Sequence, residues 1–295
     1  MTNAAPVIIF CYRRNIKKLI DSLLQNKDSE HSNLFVFSDG YKSDKDKEDV
    51  LFVRKFLKKI KGFKSIKIYE SEMSKGCAKS IIDGVNLIIN NFGKAIVLED
   101  DLIVSRYFLN FMNQALDFYQ DDKKIWSISG YCPPLSSLKN YEKDVFLSVR
   151  SASWGWATWL NRWKKVDWAI KDFNHLKKNN NKKKNFEIGG NDLFKMLELK
   201  HLNKLDAWDI TWCYSQFLNS AYSVTPKISF VQNKGVGDKY ATHNKSKSSK
   251  WAVNLSEKPI NPHKVFINNK ILSDFKKYYD LSLYFKIKYF LKKYI

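Results

Sequence analysis

Residues 94–105 read KAIVLEDDLIVS: an apolar run, three consecutive acids (Glu99, Asp100 and Asp101), and a second apolar run. A continuous apolar run fits a strand buried on both faces of a parallel sheet, so its carboxylates fall where the chain leaves the sheet. Ligands in open α/β sheets bind at that edge. Extended backbone carried that far would put Glu99 and Asp101 on one side and Asp100 on the other. Hard oxygen donors at such an edge suit Mg²⁺ or Mn²⁺, held by one or two carboxylates and completed by substrate phosphates. The same triplet also fits the start of a helix over LIVSRYFLNF, capped by Asp100 or Asp101. Sequence alone leaves both readings standing.

The flanking chain reads as alternating strands and helices. PVIIFCY is a β-rich run, followed by helical spacing in NIKKLIDSLLQN. LFVFSDG is a strand closed by an Asp-Gly turn, KEDVLFVRKFLKKIKGF a helix and SIKIYES a strand. CAKSIIDGVNLIINNFG is a helix ended by glycine, AIVLED a strand, VSRYFLNFMNQALDFYQDD a helix and IWSISGY a strand. Alternation of this kind predicts an α/β fold, a mainly parallel sheet with helices on both faces. From about residue 145 the pattern turns irregular and Trp-rich, as in SASWGWATWLNRWKKVDW, which reads as a substrate-side elaboration. KKNNNKKKN, residues 177–185, reads as a flexible cationic loop. The expected division is one domain over residues 1–265 and a basic amphipathic tail over 266–295.

Composition sets broad bounds. The chain has 295 residues, 44% of them hydrophobic, enough for a full core. Lys and Arg number 51 against 30 Asp and Glu, a formal net charge of +21 that suits an anionic partner without naming it. Cys11, Cys77, Cys132 and Cys213 lie far apart with no Cys-x-x-Cys pair, so neither a zinc module nor a disulfide framework is indicated. A reducing, cytosolic compartment is expected, and no apolar window is long enough to span a bilayer.

In their order along the chain, these segments resemble the nucleotide-sugar-dependent glycosyltransferases of the GT-A fold, most closely the N-acetylglucosaminyltransferase I type and its bacterial relatives. PVIIFCYRR resembles the family's first strand with its nucleotide-contacting arginine, which falls on Arg13 with Arg14 as its neighbour. FVFSDG resembles the second strand, ending in the aspartate that meets the nucleoside, Asp39. VLEDDL matches the Glu-Asp-Asp metal motif: Asp101 would be the direct metal ligand, with Glu99 and Asp100 toward the nucleotide sugar. SWGWATW resembles the Gly-Trp turn beneath the sugar, Gly155 and Trp156. AWDITW resembles the element carrying the catalytic base, Asp209, and TPKISFVQNKGVG the segment that follows. The matches span roughly residues 6–243. The resemblance implies a UDP-linked sugar donor, Mn²⁺ or Mg²⁺, and a hexosyl or N-acetylhexosaminyl transfer to a glycan or lipid-linked glycan, as in bacterial surface polysaccharide synthesis. Two departures are visible: Ile210 follows Asp209 where the family has a second acid, and Asp206 lies three residues earlier, leaving two aspartates for the base. SKGCAKSI fits the nucleotide-side loop loosely and offers Lys75 and Lys79.

The residues suit that chemistry on their own terms. Negative charge builds on a leaving diphosphate, which a divalent ion at Asp101 and guanidinium groups such as Arg13 would stabilise. An acceptor hydroxyl needs a carboxylate to take its proton, and Asp209 sits between Trp208 and Trp212; a cap on the helix DITWCYSQFLNS is its other reading. Direct displacement inverts the anomeric centre. Indole faces stack on sugar rings, which favours Gly155 and Trp156 for the site, while Trp159 and Trp163, one helical turn apart, fit the core. His243 offers a further metal or diphosphate ligand. Residues 281–295, LSLYFKIKYFLKKYI, read either as a basic amphipathic helix against the anionic inner face of a membrane or as a terminal helix docked on the domain.

Competing classes remain. A basic nucleic-acid-binding protein would use the charge and the 15% aromatic content, but no such motif is present and no nucleic acid partner is expected. A nucleotidyltransferase would need a glycine-rich phosphate loop, which CYRRNIKK lacks. A binding module without catalysis on the same fold stays open.

Overall fold

The computed structural model describes residues 4–236, 240 and 249–282. Strand β1 (Val7–Cys11), helix α1 (Lys17–Leu24), β2 (Asn33–Ser38), α2 (Asp44–Leu57), β3 (Ser65–Glu70), α3 (Cys77–Phe92) and β4 (Lys94–Glu99) form the first half. There follow β5 (Leu102–Val104), α4 (Phe108–Phe118), β6 (Ile125–Ser129), β7 (Val145–Ser148), β8 (Trp156–Trp159) and α5 (Leu160–Trp163). Helices α6 (Phe173–Lys178), α7 (Asn180–Phe186), α8 (Leu193–His201) and α9 (Asp209–Leu218) lead to β9 (Tyr222–Pro226), β10 (Val231–Asn233) and α10 (Asn269–Tyr279).

Eight strands form one mixed, largely parallel sheet in the order β3-β2-β1-β4-β8-β6-β9-β7. The first four are parallel, while β8 runs antiparallel to both β4 and β6. Alternating side chains split the core between two faces. Val7, Ile9, Ile96 and Leu98 pack with α1 and α4 on one face; Ile8, Phe10, Ala95 and Val97 pack with α3 and the tryptophans on the other. Helices therefore flank both faces, as the sequence pattern requires. The chain winds from β1 outward to β3, then crosses by α3 to place β4 on the other side of β1. That reversal makes a switch point between β1 and β4, where the loops after the two strands part and leave a crevice.

Four expectations change. The acids of residues 99–101 do not start a helix: Leu102–Val104 continues as a strand paired with Val231–Asn233. Residues 100 and 101 form a turn, so the strict strand alternation does not extend to Asp101. The cationic stretch 177–185 is helical rather than a loop, because Leu176 and Phe186 bury themselves with Leu193, Leu197 and Tyr214, and Asn179 caps α7 by accepting the Lys182 N–H. The Trp-rich region, expected to be irregular, supplies β8 at the centre of the sheet.

Helix α10 docks through Ile271 and Phe275 against Cys132, Leu135, Leu138 and Phe146. The expected membrane-facing helix falls mostly on residues 283–295, outside the described residues. Among the described residues, no helix is long and apolar enough to cross a membrane. All four cysteines are free thiols, as their spacing implied.

Candidate active site

A cleft of about 500 Å³ opens at the β1/β4 switch point and is lined by the ends of both strands, the start of α3, the start of α9 and the β10 loop. Such a volume suits a drug-sized or nucleotide-sized ligand. Of the residues expected from sequence, Arg13, Arg14, Asp39, Glu99, Asp100, Asp101 and Asp209 all line it, together with Asp206. They come from four separate parts of the chain.

The acidic turn is the electrostatic centre. Burial, then the charges of Asp101, Asp100 and Asp209, pushes the Glu99 carboxyl well above the usual range. Burial and Asp101 push Asp100 up to about 6, opposed by Arg14 and by the Tyr12 backbone N–H. That N–H donates to Asp100 Oδ2 at 3.0 Å, while Arg14 Nη1 lies 3.3 Å from Asp100 Oδ1 and 3.5 Å from Asp101 Oδ2. Raised carboxyls gathered in one crevice favour the arrival of a cation.

The donor set is all hard oxygen, which fits Mg²⁺ or Mn²⁺. Among the described residues, no three metal-ligating side chains converge tightly enough to hold an ion alone. A divalent ion here would thus draw the rest of its shell from a bound ligand and from water. His243 lies outside the described residues.

Arg13 has a different setting from Arg14. Its guanidinium pairs with Asp46 on α2 and lies 5.0 Å from the centre of the Tyr240 ring. The Tyr12 hydroxyl donates to Asp46 Oδ2 at 2.8 Å, and Tyr240 reaches across to donate to Asp49 at 2.8 Å. Hydrogen bonding from Tyr12, assisted by the charge of Arg13, holds the Asp46 carboxyl below the usual range. Sequence reading missed Asp46, because an acid in the run DKDKEDV resembles any solvated helix start. Its burial was the signal that only the fold supplies.

Asp39 ends β2 and is committed to its own loop. One carboxylate oxygen accepts the backbone N–H groups of Gly40 and Lys75 at 3.0 and 2.8 Å. The other accepts the Ser74 hydroxyl and the Gly76 N–H at 2.8 and 3.2 Å. A nucleoside meeting Asp39 would have to share or replace one of those donors.

Lys79 is not brought to the cleft. Cys77, Ser80 and Ile81 line it, so at helical spacing Lys79 points away, where it pairs with Asp83 at 3.0 Å. Neither Gly155 nor Trp156 forms the cleft wall; Ser153 and Trp154 do. Gly155 is left-handed with φ +63°, and a Cβ on it would lie 2.6 Å from Val231 Cγ2, so glycine suits both the turn and the close approach. Trp156 is buried one layer down, stacked on Trp208 at 4.8 Å and on Trp163 at 5.8 Å, with Trp212 at 5.6 Å. It therefore supports the residue immediately before Asp209. Trp159 and Trp163 are core residues, their indole N–H groups donating to Leu116 O and Asn86 Oδ1.

Asp209 is the first residue of α9, and its Oδ1 accepts the Ile210 N–H at 3.0 Å. Asp206 is engaged elsewhere: its two oxygens accept the backbone N–H groups of Cys77 and Ala78 at 3.1 and 3.2 Å. It caps α3, whose N-cap position, Gly76, has no side chain to do so. Gly235, on the loop after β10, packs so closely on Asp101 that a Cβ there would fall 2.5 Å from Asp101 Oδ2.

Fold and site together define an α/β protein with an acidic, arginine-flanked cleft at a sheet switch point. Models of known protein families do not match the chain, and neither does any curated protein.

Proposed function

We propose that the chain is a metal-dependent, inverting glycosyltransferase of GT-A type, moving a hexosyl or N-acetylhexosaminyl group from a UDP-linked donor to a hydroxyl of a glycan or lipid-linked glycan. The observation that carries this reading is the convergence of Arg13, Arg14, the Glu99–Asp101 turn and Asp209 on one cleft. Carboxylates to hold a cation, guanidiniums for phosphate oxygens and a separate carboxylate for a hydroxyl proton are the parts that sugar transfer from a diphosphate needs.

Asp101 would hold the divalent ion, with Asp100 and Glu99 beside it. A bound ion would supply Lewis-acid stabilisation of the leaving diphosphate. Arg13 and Arg14 bind phosphate oxygens by charge-assisted hydrogen bonds. Asp209 accepts the proton of the acceptor hydroxyl as that oxygen attacks the anomeric carbon from the face opposite the diphosphate. Trp156, packed beneath Trp208, fixes the start of α9 so that the Asp209 carboxylate is held in one place. A glycan acceptor would enter past Ser153 and Trp154. Attachment of residues 281–295 to the inner face of an anionic membrane would bring the cleft to lipid-linked acceptors.

Calorimetric titration of UDP-sugars with and without Mn²⁺ tests the reading. Metal-dependent binding in the parent and its loss in Asp101→Ala are expected; equal binding in both would remove Asp101 from the metal site.

A further inference from the structure

Arg14 sits where a metal ion would have to compete with it. Its Nη1 spans Asp100 Oδ1 at 3.3 Å and Asp101 Oδ2 at 3.5 Å, and its side chain is only 20% exposed. The other oxygen of Asp100 is already taken by the Tyr12 N–H at 3.0 Å. Gly235 packs against the Asp101 carboxylate, and the Asp101 backbone carbonyl accepts the Lys234 N–H at 2.7 Å, so the turn is held against the β10 loop. Arg13, although adjacent in sequence, pairs with Asp46 instead. A divalent ion on Asp101 therefore meets a guanidinium within a few ångströms, in a half-enclosed cleft where water screens the repulsion poorly.

We infer that Arg14 is a built-in counter-cation that disfavours capture of a bare divalent ion and makes metal and nucleoside diphosphate enter together. Without ligand, the guanidinium neutralises the acidic turn. When the ion arrives with a diphosphate, the phosphate oxygens bring negative charge that the guanidinium can turn to, and Asp101 is released to the metal. The inference rests on the metal-dependent reading above and adds an order of binding to it. It also separates two neighbouring arginines by role: Arg13 is anchored to α2, whereas Arg14 exchanges partners.

The test is Mn²⁺ binding to the full chain, followed by the paramagnetic resonance of the free ion, with no nucleotide present. Arg14→Gln is expected to bind bare Mn²⁺ about tenfold or more tightly than the parent, and Arg14→Lys, which keeps the charge, to stay near the parent. Saturating UDP should tighten Mn²⁺ binding at least about tenfold in the parent and distinctly less in Arg14→Gln. Equal or weaker bare-metal binding in Arg14→Gln overturns the inference. Thermal melting guards against a folding artefact: Arg14→Gln should melt below the parent without metal and recover with Mn²⁺, and a loss that Mn²⁺ does not recover also counts against the inference. Failure of the glycosyltransferase reading has a different signature, namely no effect of UDP on Mn²⁺ binding in the parent.

Discussion

Asp206 and Ala78, 128 residues apart in the chain, are joined by a 3.2 Å hydrogen bond from the Ala78 N–H to the Asp206 carboxylate. That bond, with its partner from Cys77, ties the loop before Asp209 to the first turn of α3. Asp39 pins the preceding residues, Ser74 to Gly76, from the other side. The wall of the cleft at the start of α3 and the carboxylate proposed as base are thus fixed to one another through a single loop.

The two aspartates should separate on substitution. Asp209→Asn keeps size and a hydrogen-bonding oxygen but cannot take a proton, so turnover should fall by roughly 10² or more with UDP binding and melting temperature nearly unchanged. Asp206→Asn retains one acceptor for two N–H donors and should cost about 1 kcal/mol of stability. Its turnover should fall less than about tenfold. Steady-state kinetics and thermal melts check both, and the reverse pattern would move the base to Asp206.

The acidic turn should make the metal-free protein sensitive to pH. Unfolded carboxyls titrate near 4, as a typical value of about 3.9 to 4.3. In the fold, Asp100 is raised to about 6 and Glu99 is raised well above its usual range, each first by burial. The folded state then binds more protons than the unfolded one between those limits. The contribution of these groups is therefore fully present below the unfolded pKa and is lost as pH rises through the folded one. Asp100→Asn removes one such group, so its melting temperature relative to the parent should climb between about pH 4 and pH 7. A constant difference across that range would mean that Asp100 is not raised.

Much of the fold was legible because it is local. Buried strands such as VIIFC and KAIVLE and amphipathic helices such as CAKSIIDGVNLIINNF carry their pattern in the residues themselves. Legibility ended where pairing is distant. LIV at 102–104 reads as the start of a helix until Val231–Asn233 pairs with it. WATW at 156–159 becomes the central antiparallel strand only because β4 and β6 stand on either side. In the site, the acidic triplet stood out as the end of a strand, while Arg13 and Asp39 came from the resemblance; the fold brings all of them to one cleft. Asp46, Cys77 and Gly235 escaped, because what marks them is a neighbour far away in sequence.

Residues 281–295 carry a prediction from sequence alone. Leu283, Tyr284, Ile287, Phe290, Leu291 and Tyr294 recur at helical spacing, with Lys286, Lys288, Lys292 and Lys293 among them. At about 1 kcal/mol per basic residue near an anionic surface, those lysines should hold the full chain on anionic vesicles at low salt. A chain ending at Asp280 keeps α10 and the bond from the Asn191 N–H to Asp280 Oδ1 at 2.9 Å, and should stay in solution. Flotation of both chains with anionic vesicles decides it, since equal recovery would reject anchoring.

Gly235 offers a probe of Asp101 that leaves every charge in place. A methyl group at this position would lie 2.5 Å from Asp101 Oδ2, 2.7 Å from its Cβ and 3.0 Å from its Cγ. Relief by backbone movement is opposed on both sides, because Lys234 N–H donates to Asp101 O at 2.7 Å and Gly235 N–H donates to Asn233 Oδ1 at 2.7 Å. The Asp101 carboxylate must therefore turn away from its present direction. Overpacking of this kind costs about 1–3 kcal/mol. Gly235→Ala should weaken Mn²⁺-dependent UDP binding by about tenfold or more, since one displaced oxygen donor is a large part of a site built on one or two carboxylates. Gly93→Ala is the matched control: Gly93 is left-handed at φ +76°, with nothing within 4 Å of an added Cβ. It should lose about 1 kcal/mol of stability through backbone strain while binding UDP and Mn²⁺ as the parent does. Calorimetry on the two variants separates the local effect on Asp101 from a general loss of stability, and unchanged binding in Gly235→Ala would take Asp101 out of the metal site.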